Sequence, residues 1–504
     1  MPAPGAAGPG GEVSTGPVVG ADAQGSMTGK VVRGAGWSGA ARMATQGLQF
    51  LVGLVLARLL LPEDFGLLAS VYVITGFAVM FFEMGLGAAL VHLPRPTERD
   101  MSTVFWVNAL GGVVFAALVA AAAPLIADFY GQPQLRGIAP LVALSFTLAV
   151  GVVHNALLQR RLQFRTAATI EVSSALLGHA TTLVAALLGA GALALAYGPL
   201  VASGSASVMS WCAVRWWPRH FVSADSFRRL WGFSSGMLGS NVVTYWGRNA
   251  DNLLIGRFLG ATPLGLYNRA YNLMLLPVTQ LNGALQRVMF PALAAMQSDH
   301  ARVRRAYLRA VGLVGALTIP FLVGIAAVAD GLVPLLWGPN WEATVPLLQV
   351  LCIAGVPQCV GTTMGWIFQS QGRTRTMFLV QSASAGVGVV AMVVGLNWGI
   401  TGVAWAVLVH AWVMGPVSLR IAGGVIGLGL PALLRQAWRS TAVAFLMGVL
   451  VWSLPLLLGV DRGSPWVLLV QVLAGVAVYV AGLRLVSPEL FSEVGRLVGG
   501  RLRR

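Results

Sequence analysis

The sequence predicts an all-α polytopic membrane protein with about 14 transmembrane helices, arranged as two pseudo-symmetric six-helix lobes followed by two C-terminal helices. Three observations lead to this prediction. The 504 residues are 57% hydrophobic and only 10% charged, whereas a soluble domain is about a quarter charged. Arginines gather in every second gap between the apolar stretches. Finally, the first six stretches resemble the next six in sequence.

The apolar stretches have the length that a membrane-crossing helix requires, roughly 20 residues. Only helices and closed barrels satisfy the backbone polar groups in lipid, and these stretches are too long and too continuous for barrel strands. In chain order, the predicted spans are residues 34–60, 67–91, 102–127, 138–157, 167–189, 192–213, 233–259, 264–291, 308–329, 344–369, 377–396, 400–419, 438–459 and 465–485.

The arginines orient these spans, because short cytoplasmic loops carry the excess of Lys and Arg. For example, Arg160, Arg161 and Arg165 lie between the fourth and fifth spans, whereas the next gap, near Gly189, is uncharged. The alternation places both termini in the cytoplasm. It also explains the net charge of +16 through orientation and contact with anionic lipid, so the sequence predicts no nucleic-acid partner.

An internal repeat relates the two sets of six spans. Ala57–Leu60 and Phe65–Leu67 align without gaps on Gly256–Leu259 and Leu264–Leu266, at an offset of 199 residues. The alignment continues along both halves while the offset grows to about 210. Because each half has six spans, the halves share one orientation, and their axis lies along the membrane normal. This architecture is typical of transporters.

The repeat and the loops divide the chain into six predicted segments. They are a disordered cytoplasmic tail at 1–29, an N-terminal lobe at 30–216, a cytoplasmic linker at 217–232, a C-terminal lobe at 233–424, a terminal helix pair at 425–487 and a basic cytoplasmic tail at 488–504.

Motifs of catalysis are missing from the sequence. It contains no HExxH zinc spacing, no P-loop and no glycine-rich dinucleotide turn. We therefore expect neither an enzyme nor a cofactor or metal, and energy for transport would come from an ion gradient.

Ionisable residues within the spans are the functional candidates, because each is costly in hydrocarbon. In the seventh span, Arg248, Asp251 and Asn252 fall at i, i+3 and i+4, on one helix face. Two interpretations are open. Either Arg248 and Asp251 pair and stabilise the bundle, or Arg248 binds an anionic substrate while Asp251 balances it or carries a proton.

The first and eighth spans offer further candidates. Arg42 and Gln46 are again four residues apart and lie across the pseudo-axis from the seventh span. Arg42 either lines the cavity or snorkels to the cytoplasmic interface. Arg269, with Asn268 and Asn272, forms a further basic wall.

Two arginines occupy the predicted outer ends of their helices, against the positive-inside trend. Arg58 and Arg257 are related by the repeat, and we expect a gate or structural role, with carboxylates or helix-ending carbonyls as partners. Glu83, deep in the second span, is either an ion-coupling site or the partner of an arginine on another helix.

Two segments resemble a known family, the Wzx/WzxC-like polysaccharide flippases of the multidrug/oligosaccharidyl-lipid/polysaccharide exporter superfamily. The segments are LARLLLPEDFGLLASVYVI (56–74) and RNADNLLIGRFLGATPLGLYNRAYNLMLLPVTQLNGALQRVMFPALAAMQSD (248–299). The resemblance implies a protein of the cell inner membrane that flips an undecaprenyl-diphosphate-linked oligosaccharide by alternating access, for exopolysaccharide, capsule or O-antigen biosynthesis.

This resemblance gives the candidates their expected roles, since a diphosphate suits the arginine fork. The predicted substrate-binding residues are Arg42, Gln46, Arg248, Asn252 and Arg269. Glu83 and Asp251 would couple a proton or sodium ion. Membrane lipid and glycan polymerase machinery are the other expected partners. The alternatives are a multidrug exporter of the same fold, which calls for acidic binding residues, and a membrane-embedded polymerase or ligase, which calls for a large periplasmic loop.

Overall fold

The computed structural model describes residues 21–83, 86–93, 95–460 and 462–499. These residues form eighteen α-helices and two short 3-10 turns, and they contain no β-strand. The fold class predicted from the sequence is therefore confirmed for the part of the chain that the structure describes.

The first half contains eight of these helices. In chain order they are α1 (Ala21–Leu59), α2 (Pro62–Glu83), α3 (Leu86–His92), α4 (Glu98–Tyr130), α5 (Leu135–Leu148), α6 (Val152–Arg160), α7 (Phe164–Leu187) and α8 (Ala192–Val214).

The second half and the C-terminal region contain ten helices. In chain order they are α9 (Ala224–Phe258), α10 (Ala261–Ala295), α11 (His300–Trp337), α12 (Thr344–Gly361), α13 (Met364–Ser370), α14 (Thr374–Gly395), α15 (Gly399–Val425), α16 (Leu430–Leu458), α17 (Pro465–Val486) and α18 (Pro488–Gly499). The 3-10 turns are Pro339–Trp341 and Leu396–Trp398.

The helices of the described residues are approximately consistent with the predicted fourteen spans. Nine stretches of the described residues are long and apolar enough to cross a membrane, and the bent pair α5–α6 makes a tenth. One of the nine, Thr374–Val425, holds both α14 and α15. Helices α2, α9 and α10 complete the set. The last two are less apolar because they carry arginine, asparagine and glutamine side chains.

The internal repeat is visible in the backbone. The fourth span of each half is broken near its C-terminal end, between α5 and α6 and between α12 and α13. The turns after these spans match too: Leu162 and Gly372 have φ of 54° and 66°, and Gly191 and Gly399 have φ of 54° and 68°. Leu162 is notable because a side chain strains this left-handed conformation, so the tertiary fold imposes it.

Two helices begin before the predicted start of their lobe, and a third lies within a predicted tail. Helix α1 begins at Ala21, inside the predicted disordered tail, and α9 begins at Ala224, inside the predicted linker. Helix α18 occupies most of the predicted basic tail. The predicted boundaries followed the ends of the apolar stretches, but a helix satisfies its own backbone in water as well as in lipid. Its polar turns can therefore extend beyond the membrane.

The C-terminal helix pair packs on the second half rather than between the halves. Helix α16 lies along α11, and the Tyr479 hydroxyl of α17 donates a hydrogen bond to the Ala316 carbonyl of α11 at 2.7 Å. This attachment leaves the space between the two six-helix lobes free.

Candidate functional site

A cavity of about 960 Å³ lies between the two halves. One side is formed by α2 and the other by α9, α10, α12, α13 and α14. The cavity thus occupies the position in which a transporter with two repeated halves holds its substrate.

The two sides of this cavity differ in chemistry. Helix α2 contributes Phe65, Leu68, Ala69, Tyr72 and Val73, so this side, the α2 wall, is almost entirely apolar. The opposite side, the carboxamide wall, is polar. Its nine carboxamide side chains are Asn249, Asn252, Asn268, Asn272, Asn282, Gln286, Gln358, Gln369 and Gln381.

Arg248 on α9 lines the cavity, and its side chain is exposed there. The neighbouring Asp251 is buried and has other partners. One carboxylate oxygen accepts a hydrogen bond from the Tyr267 hydroxyl at 3.0 Å, and the other accepts one from the Asn252 backbone N–H at 2.8 Å. The three ion pairs among the described residues lie elsewhere. In this structure Arg248 therefore presents its charge to the cavity rather than to Asp251.

Arg269 on α10 is the second cation of the cavity lining. Its guanidinium carbon lies 4.0 Å from the centre of the Phe65 ring and 5.8 Å from that of Trp341. One terminal nitrogen makes a long contact of 3.5 Å with the Gly53 carbonyl, and the buried Nε has no hydrogen-bond partner among the described residues. Arg269 is thus held in place by aromatic rings while much of its donor capacity is unused.

Two of the other predicted residues, Arg42 and Gln46, lie outside the described lining of the cavity. Arg42 and Gln46 are exposed on α1, and Gln46 accepts a hydrogen bond from Gln280 of α10 at 3.2 Å. Glu83 ends α2, and its side chain lies outside the described part of the chain. Their roles stay predictions.

At one end the cavity is closed by direct contact between the backbones of α2 and α10. A Cβ atom added to Gly66 would lie 1.8 Å from the Ala261 carbonyl oxygen, and one added to Gly265 would lie 1.8 Å from that of Pro62. Gly66 and Gly265 are equivalent positions of the repeat. The contact is therefore reciprocal, and the pseudo-two-fold axis passes through it. Only glycine permits such a close approach.

Two repeat-related arginines brace this closed end. The Arg58 guanidinium donates hydrogen bonds to the carbonyls of Leu335 and Leu336, at the end of α11. Arg257 lies over the ring of Phe129, at the end of α4, with 5.4 Å between the guanidinium carbon and the ring centre. Because α4 and α11 are the third spans of their halves, each arginine reaches the same helix of the opposite half.

Comparison with known proteins gives this architecture a family. Residues 55–346, more than half of the chain, match the family described as "Polysaccharide biosynthesis protein". The chain belongs to this family. A role in transport rather than in catalysis agrees with this membership.

Two relatives and one solved structure resemble most of the chain. The teichuronic acid biosynthesis protein TuaB of Bacillus subtilis (strain 168) is 27% identical over 86% of this chain and 90% of its own length. The lipopolysaccharide biosynthesis protein WzxC of Escherichia coli (strain K12) is 30% identical over 70% of this chain and 72% of its own. The lipid II flippase MurJ, in an inward closed conformation, shares the fold, with a TM-score of 0.68 at 14% identity over 90% of this chain and 99% of that one.

Most of the carboxamide wall was not predicted from the sequence. Asn252, Asn268 and Asn272 stood out because they lie close to Arg248 and Arg269, but the glutamines of α10, α12, α13 and α14 did not. Gln369 and Gln381 are each the one carboxamide of their helix, whereas Gln286 and Gln358 share their helices with other carboxamides. The only sequence signal is the cost of burying such a group without a partner, and it does not say which residues meet across the bundle.

Proposed function

We propose that this polysaccharide biosynthesis family member is a flippase that moves a lipid-linked oligosaccharide across the cell inner membrane. The observation that carries the proposal is a cavity between two repeated halves, sealed at one end and supplied with two cations and a wall of carboxamides. Such a site suits a substrate with an anionic head group and a hydroxyl-rich body. A transport role also agrees with the family and with the names of the relatives.

We assign the closed end to the outer face of the membrane on the basis of the arginine distribution. Helices α2 and α10 begin there, after gaps that carry no basic residue near Glu63 and Thr262, and both termini are proposed to be cytoplasmic. The cavity reaches Gln369 near the end of α13 and Met377 near the start of α14, at the opposite end of the bundle. We therefore expect the cavity to receive substrate from the cytoplasmic side.

The proposed substrate is an undecaprenyl-diphosphate-linked glycan. Arginine suits phosphate because its planar fork offers paired donors and a fixed charge, and Arg248 and Arg269 both face the cavity. The polyprenyl chain would remain in membrane lipid, where its apolar surface is already solvated. Release at the outer face would pass the glycan to polymerase machinery.

A multidrug exporter of the same fold is the alternative function. Cationic drugs call for carboxylates, and the described residues that line the cavity include none, whereas they include two arginines. The cavity chemistry therefore favours the anionic substrate.

The arginine pair gives the direct test. In cells that lack their own flippase, Arg248→Gln is expected to lower glycan export about tenfold or more, because hydrogen bonds to charged groups contribute about 1.5–3 kcal/mol. Arg496→Gln, which changes an exposed arginine of α18, is the matched control and should export normally. Immunoblots of the membrane fraction check insertion. Export at the control level by Arg248→Gln would contradict the assignment.

Ion coupling is a second part of the proposal, with Asp251 and Glu83 as the candidate groups for a proton or sodium ion. Asp251 is buried one turn from Arg248 and is bonded to Tyr267, so a change in its charge would alter the contact between α9 and α10. We expect Asp251→Asn to make export in vesicles insensitive to an imposed ion gradient. A gradient dependence equal to that of the unchanged protein would remove Asp251 from the coupling site.

A further inference from the structure

We infer that a second pocket, between α16 and the junction of α17 and α18, binds the phosphodiester head group of an anionic membrane lipid of the phosphatidylglycerol type. This pocket is separate from the cavity between the halves, because α16, α17 and α18 contribute no residue to the described lining of that cavity. The inference therefore does not depend on which substrate the cavity carries.

The terminal pocket, as we call it, has a volume of about 460 Å³. Helix α16 forms one side, and the end of α17 with the first turn of α18 forms the other. Six of its eight lining residues have polar side chains: Arg435, Gln436, Arg439, Ser440, Ser487 and Glu489. This volume falls within the range of roughly 300–1,000 Å³ that small-molecule sites span. Such a pocket suits a charged head group and not an acyl chain.

Helix α18 closes the pocket because it packs back on the bundle. Its Leu490 and Phe491 pack against the largest apolar cluster of the protein. Leu490 also meets Gln436 of α16 at Gly312 of α11, where an added Cβ atom would lie 2.9 Å from Gln436 Nε2 and 3.2 Å from Leu490 Cδ1. The glycine leaves room for both side chains. Three helices thus fix the shape of the terminal pocket.

The two arginines of the terminal pocket have unused donors. Arg435 and Arg439 are one turn apart on α16, and neither makes a hydrogen bond or an ion pair with the described residues. By contrast, Arg304 of α11 donates to two carbonyls just beyond α15. Glu489 lines the pocket but forms no ion pair with either arginine. Two free guanidinium forks in one polar pocket suit a phosphate group.

The balance of charge favours an anionic lipid over a zwitterionic one. Arg435, Arg439 and Glu489 together give the lining a net charge of +1. Phosphatidylglycerol carries one negative charge and balances it, whereas phosphatidylethanolamine has an added ammonium and no net charge. The glycerol hydroxyls can donate to the Glu489 carboxylate and exchange hydrogen bonds with the Gln436 carboxamide.

The surroundings of the pocket suit the rest of a lipid. Leu434 and Trp438 directly precede the two arginines and are each 55% exposed. They are one turn apart, so they form an apolar stripe beside the arginines on which acyl chains can lie, and tryptophan is typical of the membrane interface. In sequence, α18 is followed by Arg501, Arg503 and Arg504, and such basic clusters attract anionic lipid.

The experiment measures lipid binding to the purified full-length protein in detergent by native mass spectrometry. The probes are phosphatidylglycerol and phosphatidylethanolamine with identical acyl chains. We expect phosphatidylglycerol to bind at least about tenfold more tightly, because its charge is balanced in the pocket. Equal affinity for the two lipids would overturn the inference.

A double variant tests whether the terminal pocket is the site. Arg435→Gln combined with Arg439→Gln should weaken phosphatidylglycerol binding at least about tenfold, because charge-assisted hydrogen bonds are lost. Arg420→Gln combined with Arg496→Gln is the matched control. It removes the same charge from exposed arginines of α15 and α18 that do not line the pocket. If the two double variants bind the lipid equally, the inference is wrong.

A charge-preserving variant guards against a loss of folding. Arg435→Lys combined with Arg439→Lys keeps both charges and should bind phosphatidylglycerol at least about threefold more tightly than the glutamine pair. No difference between the lysine and glutamine pairs would count against the inference. Equal melting temperatures of the lipid-free double variants check that all of them fold.

Two further measurements separate this site from other sources of anion binding. Arg248→Gln removes a cation of the cavity between the halves and should leave phosphatidylglycerol binding unchanged; a loss as large as that of the Arg435/Arg439 glutamine pair would assign the lipid to that cavity instead. Inorganic phosphate in large excess should not displace the lipid, because the apolar stripe contributes to binding. Displacement would mean that the pocket takes a soluble phosphate, and the lipid assignment would fail.

Discussion

The closed end and the cavity of this protein use the internal repeat in opposite ways. At the closed end, Gly66 meets α10 as Gly265 meets α2, and Arg58 and Arg257 reach equivalent helices of the opposite half. In the cavity the symmetry is lost, because the α2 wall is apolar and the carboxamide wall is polar.

The difference follows from what each region contacts. The closed end is formed when one half packs on the other, and two similar surfaces related by a two-fold axis can complement each other at every equivalent position. The substrate proposed for the cavity has an anionic end and a hydroxyl-rich body, and it has no such symmetry. Equivalent side chains on both walls would leave one set without a partner.

The largest expected effect comes from breaking the symmetric contact. Gly265→Ala would place a methyl group against the Pro62 carbonyl, so the two halves must separate, and we expect export to be lost. A cysteine introduced as Ala57→Cys, at a position 1% exposed in the closed end, should become reactive toward an impermeant thiol reagent added from outside.

Gly47→Ala is the control for this substitution, because a methyl group at Gly47 of α1 meets no atom within 4 Å. Export and thiol labelling in Gly265→Ala at the level of Gly47→Ala would show that the contact between α2 and α10 does not close the cavity.

An intermediate loss of export is expected from substitutions at two equivalent positions of the repeat, one on the carboxamide wall and one on α2. Arg269 and Ser70 are equivalent positions of the repeat, but Arg269 lines the cavity while Ser70 is buried and donates to the Gly66 carbonyl at 3.1 Å. We expect Arg269→Gln to lower export about tenfold or more. Ser70→Ala removes a neutral hydrogen bond worth about 1 kcal/mol and should leave export within about threefold of normal. Similar losses in both variants would contradict the asymmetry of the walls.

The smallest expected effect is a difference between the two arginines that brace the closed end. Arg58 donates to two carbonyls, whereas Arg257 is held by aromatic rings, and an exposed cation–π contact contributes only about 0.5–1 kcal/mol. Arg58→Gln should therefore raise labelling of the Ala57→Cys reporter several-fold, and Arg257→Gln about twofold or less. The reverse order would mean that the Phe129 contact is the stronger brace.

Several levels of this structure could be predicted from local sequence. The spans follow from apolar length, the proposed orientation from the arginines of the loops, and the two halves from the 199-residue offset that aligns Arg58 on Arg257. The aligned glycines of the closed end are also visible in the sequence. What the alignment does not reveal is that Gly66 and Gly265 lie against each other's helices.

The sequence by itself determined the helical class, the number of spans and the repeat. Each span must satisfy its own backbone hydrogen bonds in lipid, so the apolar stretches along the chain mark the spans directly. Only the tertiary structure decided the partners. Tyr267 holds Asp251, Leu335 accepts from Arg58 across 277 residues, and glutamines from four helices meet in one wall. Such pairings depend on how each helix is rotated about its axis and packed on its neighbours, and no local stretch of sequence specifies that rotation.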